Sequence, residues 1–189
     1  MSLIPAFEIS VWNAWIFVLG LGLINYGLGF LIAKESMLST WPDYSQKEQR
    51  LFGIFMVVWV APWIYSIFLP LQLGSAWFYT GLAVYLLGIV FLAIAVINHA
   101  TTPMDKPVTK GLYSVSRHPM NLSWFLAYIG TGIACASWIF LLCGILFIIL
   151  GQILAVAEER GCLEEYGDAY REYMNKTPRW IGIPRPKKS

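Results

Sequence analysis

Trp138-Ile-Phe-Leu-Leu-Cys-Gly-Ile-Leu-Phe-Ile-Ile-Leu-Gly-Gln-Ile-Leu-Ala-Val-Ala157 runs for about twenty residues without a charge, and Glu158-Glu159 follows at once. Coiled as a helix at about 1.5 Å per residue, it covers about 30 Å, the thickness of bilayer hydrocarbon. Just before it stands a short Cys135-Ala-Ser137 turn, and before that a second apolar segment, roughly Asn121–Ala134. Two apolar segments joined by so short a turn predict a tight helical hairpin. The first of them is short for a full crossing, which needs about twenty residues. Pro119 suits its first helical turn, where a missing N–H costs nothing.

Three further apolar blocks lie upstream, at roughly Val11–Ala33, Leu51–Leu71 and Ala76–Ile97. The first carries glycines seven apart on two tracks, Gly20 with Gly27 and Gly22 with Gly29. Each pair shares a helix face and would admit a close neighbour. Pro62 falls inside the second block and predicts a kink there. The chain of 189 residues is 58% hydrophobic and only 13% charged. Its mean hydropathy of +0.61 excludes an ordinary soluble domain. The expected fold is all-α: a polytopic membrane protein with about five transmembrane helices, the last two forming the hairpin. Residues 1–97 would hold three helices without a usable motif, and residues 98–189 a functional core.

Charge placement orients this arrangement. All thirteen basic residues fall in Lys34–Arg50, Asn98–Met120 and the C-terminal tail. Five spans put those segments on one side, which the positive-inside rule makes cytoplasmic. The amino-terminal segment lacks a basic region and reads as leading into a first span rather than as a signal peptide. A formal charge of +2 points away from nucleic acid. Cys135, Cys143 and Cys162 have no metal-ligand spacing, and His99 and His118 are the only histidines, so no metal is expected. Phosphate-cradling glycine loops and a serine nucleophile elbow are absent.

The chemistry collects at the open end of the hairpin. From His118 to the turn is about 27 Å of helix and from the turn to Glu158 about 33 Å. Packed helices lie about 8–10 Å apart, so Arg117-His118 and Glu158-Glu159 should face each other at the cytoplasmic membrane edge. One reading is a structural ion pair between Arg117 and either glutamate. Against it, Tyr113, Ser114, Ser116 and the Thr101-Thr102 segment converge, more polar capacity than one pair requires. Further on, Leu163, Tyr166, Tyr170, Tyr173 and Met174 make one amphipathic face. That face predicts a C-terminal helix, either lying on the membrane or covering a cytoplasmic pocket. Pro178 and the prolines after it end regular structure.

Gly111-Leu112-Tyr113-x-x-x-Arg117-His118-Pro119, then Glu158-Glu159 and Tyr166-Gly167-x-x-Tyr170-x-x-Tyr173, resembles the isoprenylcysteine carboxyl methyltransferase family. The wider group of membrane methyltransferases, phospholipid N-methyltransferases included, shares the Arg-His-Pro and Glu-Glu pattern. Asn98-His99 also resembles the family's Asn-His, and the likeness covers about Asn98 to Tyr173. It implies S-adenosylmethionine as cofactor, with S-adenosylhomocysteine as product. Val108, Tyr113, His118, Pro119 and Asn121 would line the cofactor, Glu158 would hold it from the facing helix, and Glu159 would support. Arg117, His118 and Glu158 are the implied catalytic residues. Two positions depart from the pattern: Asn121 replaces a usual aromatic, and apolar Leu154 stands where eukaryotic relatives carry an arginine implicated in substrate binding.

The residue chemistry agrees with that cofactor: Arg117 or helix N–H groups suit its carboxylate, Glu158 its ammonium or hydroxyls, and aromatics its adenine or sulfonium. A prenylcysteine carboxylate is already ionised and needs only desolvation and alignment, whereas an amine acceptor must first lose a proton. The expected function is methylation of a prenylcysteine-like acceptor that enters from the bilayer, with spans rich in aromatics such as Trp59, Trp63 and Trp124 as a candidate entry. The rivals are methylation of phosphatidylethanolamine or another small lipophile, and a non-enzymatic membrane scaffold. The protein is expected to be multi-pass, with its site and C-terminus on the cytoplasmic side.

Overall fold

The computed structural model describes residues 8–32 and 42–182. Among them there are helices and no β-strand, apart from one isolated bridge between Asn13 and Pro70. Helix α1 is Trp15–Ile32, α2 Gln46–Ser66, α3 Ala76–Ala100, α4 Pro119–Ala134, α5 Trp138–Tyr166 and α6 Asp168–Lys176. Three of these, α1, α3 and α5, are long and apolar enough to cross a membrane. The outward faces of the long helices are apolar too, with Leu23, Val57, Ile64, Val90, Leu142 and Ile149 all exposed. So much uncovered hydrocarbon in water would drive aggregation; in a bilayer it is solvated. The protein is a membrane-embedded helical bundle.

Several boundaries differ from the sequence reading, among them the end of α2, which stops at Ser66 rather than Leu71. Helix α2 begins five residues before its apolar block, because Ser45 caps the Glu48 N–H while Glu48 accepts from the Ser45 N–H. That reciprocal cap satisfies two amides at a charged helix start that hydropathy alone treats as loop. Helix α5 runs nine residues past Ala157 without a break. Its 29 residues make about 43 Å of helix, longer than the hydrocarbon core of a bilayer, and the charged residues are confined to the turns from Glu158 onward.

The amphipathic face read from Leu163 to Met174 is split by Gly167, whose φ of 55° is disfavoured for side chains. Leu163 and Tyr166 end α5, while Tyr170, Tyr173 and Met174 lie on α6. All five still meet in one small core with Tyr113, Val108 and Leu112.

Helix α4, at 16 residues, owes its closest backbone contact to α3. A methyl added to Gly81 would strike the Gly130 carbonyl and the Ala134 backbone, and one added to Gly88 would strike Ala127. On the opposite flank α4 meets α2 through rings: Trp124 lies 5.9 Å from Trp59 and 6.3 Å from Trp63. The Tyr128 hydroxyl donates to the Trp59 carbonyl at 3.0 Å, close to the helix step that Pro62 interrupts. Between α4 and α5, Ala136 adopts a left-handed φ of 49°, and the Ser137 N–H donates back to Gly132. The Ser137 hydroxyl then caps the first turn of α5.

The α1 glycines divide. Gly20 lies under the Tyr85 hydroxyl and Gly22 under the Trp63 ring, and Gly29 is buried, but a methyl added to Gly27 would meet no neighbouring element within 4 Å. The middle of α1, Leu23–Leu28, widens into a π-helical turn, and from it Asn25 accepts a 3.4 Å hydrogen bond from the Trp124 indole. Cys135, Cys143 and Cys162 are all free thiols.

Candidate active site

The Gly111–Ser114 segment coils as a 3-10 turn after Gly111, whose φ of 59° and contact with the Asn98 side chain leave no room for a side chain. That turn delivers Ser116, Arg117 and His118 to the first turn of α4, where Pro119 follows His118. From α5, two consecutive carboxylates flank the imidazole. His118 Nδ1 lies 3.3 Å from Glu158 Oε2, and Nε2 lies 3.2 Å from Glu159 Oε1. Segments forty residues apart thus form a single cluster.

The two glutamates are not equivalent. Glu159 is 3% exposed, and Arg179 grips it with Nε at 2.9 Å and a terminal nitrogen at 2.7 Å. Arg117, its side chain 9% exposed, adds an ion pair, with Nε 3.2 Å from Glu159 Oε1. The angle there does not make a hydrogen bond, and Arg117 Nε has none. The Arg117 terminal nitrogen donates to the Met174 carbonyl at 3.5 Å. Glu158, by contrast, is 34% exposed and has His118 as its ion partner.

Electrostatics follow from this geometry. Burial of Glu159 works against its charge, but hydrogen bonds from His118 and Arg179 and the charge of Arg117 outweigh that and hold it at about 2. Burial likewise opposes a charged His118, yet the bonds to Glu158 and Glu159 prevail and raise it above its ordinary value. With Nε2 hydrogen-bonded to Glu159 and Nδ1 within ion-pair distance of Glu158, the surroundings favour the protonated ring. In that state it orients Glu158 and has no lone pair left to take a proton.

The chain after α6 closes over this cluster. The Arg117 N–H donates to the Pro178 carbonyl at 3.1 Å, and the Ser116 hydroxyl to the Arg179 carbonyl at 3.2 Å. The Trp180 ring lies 5.7 Å from the His118 ring. Helix α6 is pinned by the Tyr173 hydroxyl, which donates to the Tyr113 carbonyl at 2.6 Å. Helix α6 thus packs against the Gly111–Ser114 turn.

Arg179 and Trp180 escaped the sequence reading, which stopped at Pro178. The available signal was a Pro-Arg-Trp triplet directly after an amphipathic helix. Other expected residues fall in different places. Tyr113 is buried beneath α6, Val108 packs in the same small core, and Pro119 is buried in the first turn of α4. The Asn121 amide approaches Gly151 of α5 beside Phe55 of α2. Thr101 and Thr102 do not join the cluster; their hydroxyls bond back to the Ile97 and Asn98 carbonyls of α3. Leu154 is buried and brings no charge. Trp59, Trp63 and Trp124 pack on one another.

Residues 96–169 match the family described as phospholipid methyltransferase. The match implies a membrane-associated methyltransferase. It supports the wider membrane methyltransferase group and does not single out the isoprenylcysteine family within it. The matched residues hold the end of α3, the 3-10 turn, α4 and α5, and so both jaws of the cluster; Arg179 and Trp180 lie outside them. No curated protein matches the chain.

Proposed function

We propose that the protein is a five-span, S-adenosylmethionine-dependent methyltransferase whose site and C-terminus face the cytoplasm. Its acceptor would be a lipophilic molecule arriving from the bilayer. The single observation that carries this reading is the asymmetry of the two glutamates inside a segment that matches a methyltransferase family. Glu159 is neutralised by three cationic side chains, so Glu158 is left as the carboxylate with an accessible face.

The donor set suits the cofactor. Glu158 would accept from its ammonium or ribose hydroxyls, the buried and unpartnered Asn98 Nδ2 marks polar capacity beneath the 3-10 turn, and Tyr113 and Asn121 would line its sides. When bound, the group supplies an electrophilic methyl on a sulfonium. The chain's own residues orient and exclude water: His118 fixes Glu158, Arg179 and Trp180 cover the ring, and α6 closes the cytoplasmic face.

A carboxylate acceptor of the prenylcysteine kind fits the protonation state of the site best. It enters already ionised and requires no base, and a His118 held protonated between two carboxylates offers none. The second reading, an amine acceptor such as phosphatidylethanolamine, is favoured by the description of the matching family. It would ask Glu158 to take the proton. Labelled methyl transfer to both acceptors side by side tests this directly. Methyl esters on prenylcysteine are expected; label confined to the phospholipid would transfer the assignment to the second reading. Failure of the purified protein to bind S-adenosylhomocysteine would favour the scaffold.

A further inference from the structure

The Pro42–Ser45 segment and the first turn of α2 lie far outside the family-matched residues, yet they dock onto α5 immediately beyond the two glutamates. Arg160 forks onto Glu48 at 3.1 and 3.0 Å and also donates to the Asp43 carbonyl at 3.1 Å. One residue on, Gly161 accepts Pro42 against its bare Cα; a methyl there would lie 2.9 Å from the proline ring. The segment is therefore strapped to the helix that carries Glu158, within one turn of it.

What the strap delivers is Tyr44. Its hydroxyl is fully buried and makes no hydrogen bond. Its ring stacks on Phe52 at 5.2 Å, which orients the side chain along α2. Burial, and then the charges of Glu158 and Glu48, push the phenol up to about 12, so it remains a donor at any working pH. A buried donor without a partner is unfavourable, and a ligand supplying an acceptor would relieve it. Phe52 is followed by Phe55 at 6.4 Å and Phe147 at 5.1 Å, so an aromatic row leads from the hydroxyl into the membrane.

We propose that Tyr44 is a ligand-binding residue of the Glu158 site, its hydroxyl donating to an oxygen of the bound nucleoside cofactor while Glu158 accepts from the same molecule. This rests on the cofactor reading above and adds to it a wall supplied by the strap before α2. Ligand recognition thus draws on sequence outside the matched family segment.

Isothermal titration of the full-length protein in detergent with S-adenosylhomocysteine tests it. Wild type is expected to bind, and Tyr44→Phe to bind about three- to tenfold more weakly, the effect of one lost hydrogen bond. Its thermal midpoint should be unchanged. Gly161→Val keeps the phenol but pushes Pro42 away, and it should weaken binding comparably. Affinity within twofold of wild type in Tyr44→Phe would overturn the proposal. Affinity retained in Gly161→Val would overturn the strap's part in it. If wild type itself bound nothing, the cofactor reading would fall, and this inference with it.

Discussion

Toward α3, helix α4 presents Ala127, Gly130 and Ala134 and meets Gly81 and Gly88 with backbone against backbone. Toward α2, the same helix presents Trp124 and Tyr128 to Trp59 and Trp63, with rings meeting mostly edge to face. The end of the bundle that carries the charged cluster repeats the contrast. Glu159 is buried and saturated by Arg117, His118 and Arg179, whereas Glu158 is partly exposed and Tyr44 beside it has an unused hydroxyl. One side of the molecule is a closed frame, backbone against backbone at α3 and carboxylate against cations at Glu159. The other retains unspent polar groups and large adaptable side chains, which is where a ligand gains most by binding.

Substitutions should separate these sides by their effect on thermal stability. Gly130→Leu places a side chain into the α3 backbone, and no folded protein is expected on size-exclusion chromatography. A monodisperse product with a wild-type melting temperature would show that the α3–α4 seam is not rigid. Glu159→Gln removes the shared partner of three cationic groups and should cost about 3–5 kcal/mol, because buried charge is left unpaired. Differential scanning fluorimetry in detergent reads this as a clear drop in midpoint.

The same cluster predicts a pH optimum for stability. Glu159 has its folded value held near 2, below its ordinary 4.5, so its contribution is complete above about 4.5 and is lost as pH falls toward 2. His118 is raised, so its contribution is complete below its ordinary 6.5 and is lost as pH climbs through its higher folded value. The melting temperature should therefore peak between these two ordinary values, and Glu159→Gln should flatten the profile. A midpoint that rises steadily into alkaline pH would contradict a protonated His118.

On the adaptable side the changes should be smaller. Tyr128→Phe removes one hydrogen bond to the Trp59 carbonyl and should lower stability by about 1 kcal/mol. Glu158→Gln should alter the melting temperature least, since its carboxylate is the exposed one, yet weaken S-adenosylhomocysteine binding at least tenfold by titration. Equal stability losses from Glu158→Gln and Glu159→Gln would erase the distinction between the two halves.

Much of this was legible from residue order, because membranes reduce the problem. Uncharged runs such as Trp138–Ala157 must be helical, since no water is present to satisfy a free backbone. The approach of His118 to Glu158 and Glu159 followed from helix length alone, and the structure brings those side chains together. Hydropathy missed the start of α2, although Ser45-x-x-Glu48 spells a capping box. It also missed the extent of α5, since charge past Ala157 ends the membrane but not the helix.

Composition and spacing by themselves determined that the chain is helical, lives in a bilayer and gathers its polar chemistry at one end. Only tertiary structure decided which glutamate is spent and which is available. That choice rests on Arg179 and Trp180 returning from the tail and on Arg160 strapping Tyr44 beside Glu158. Local periodicity registers what each residue prefers. It cannot register which distant cation reaches a carboxylate first, because that depends on how several helix ends and their connecting segments meet in space.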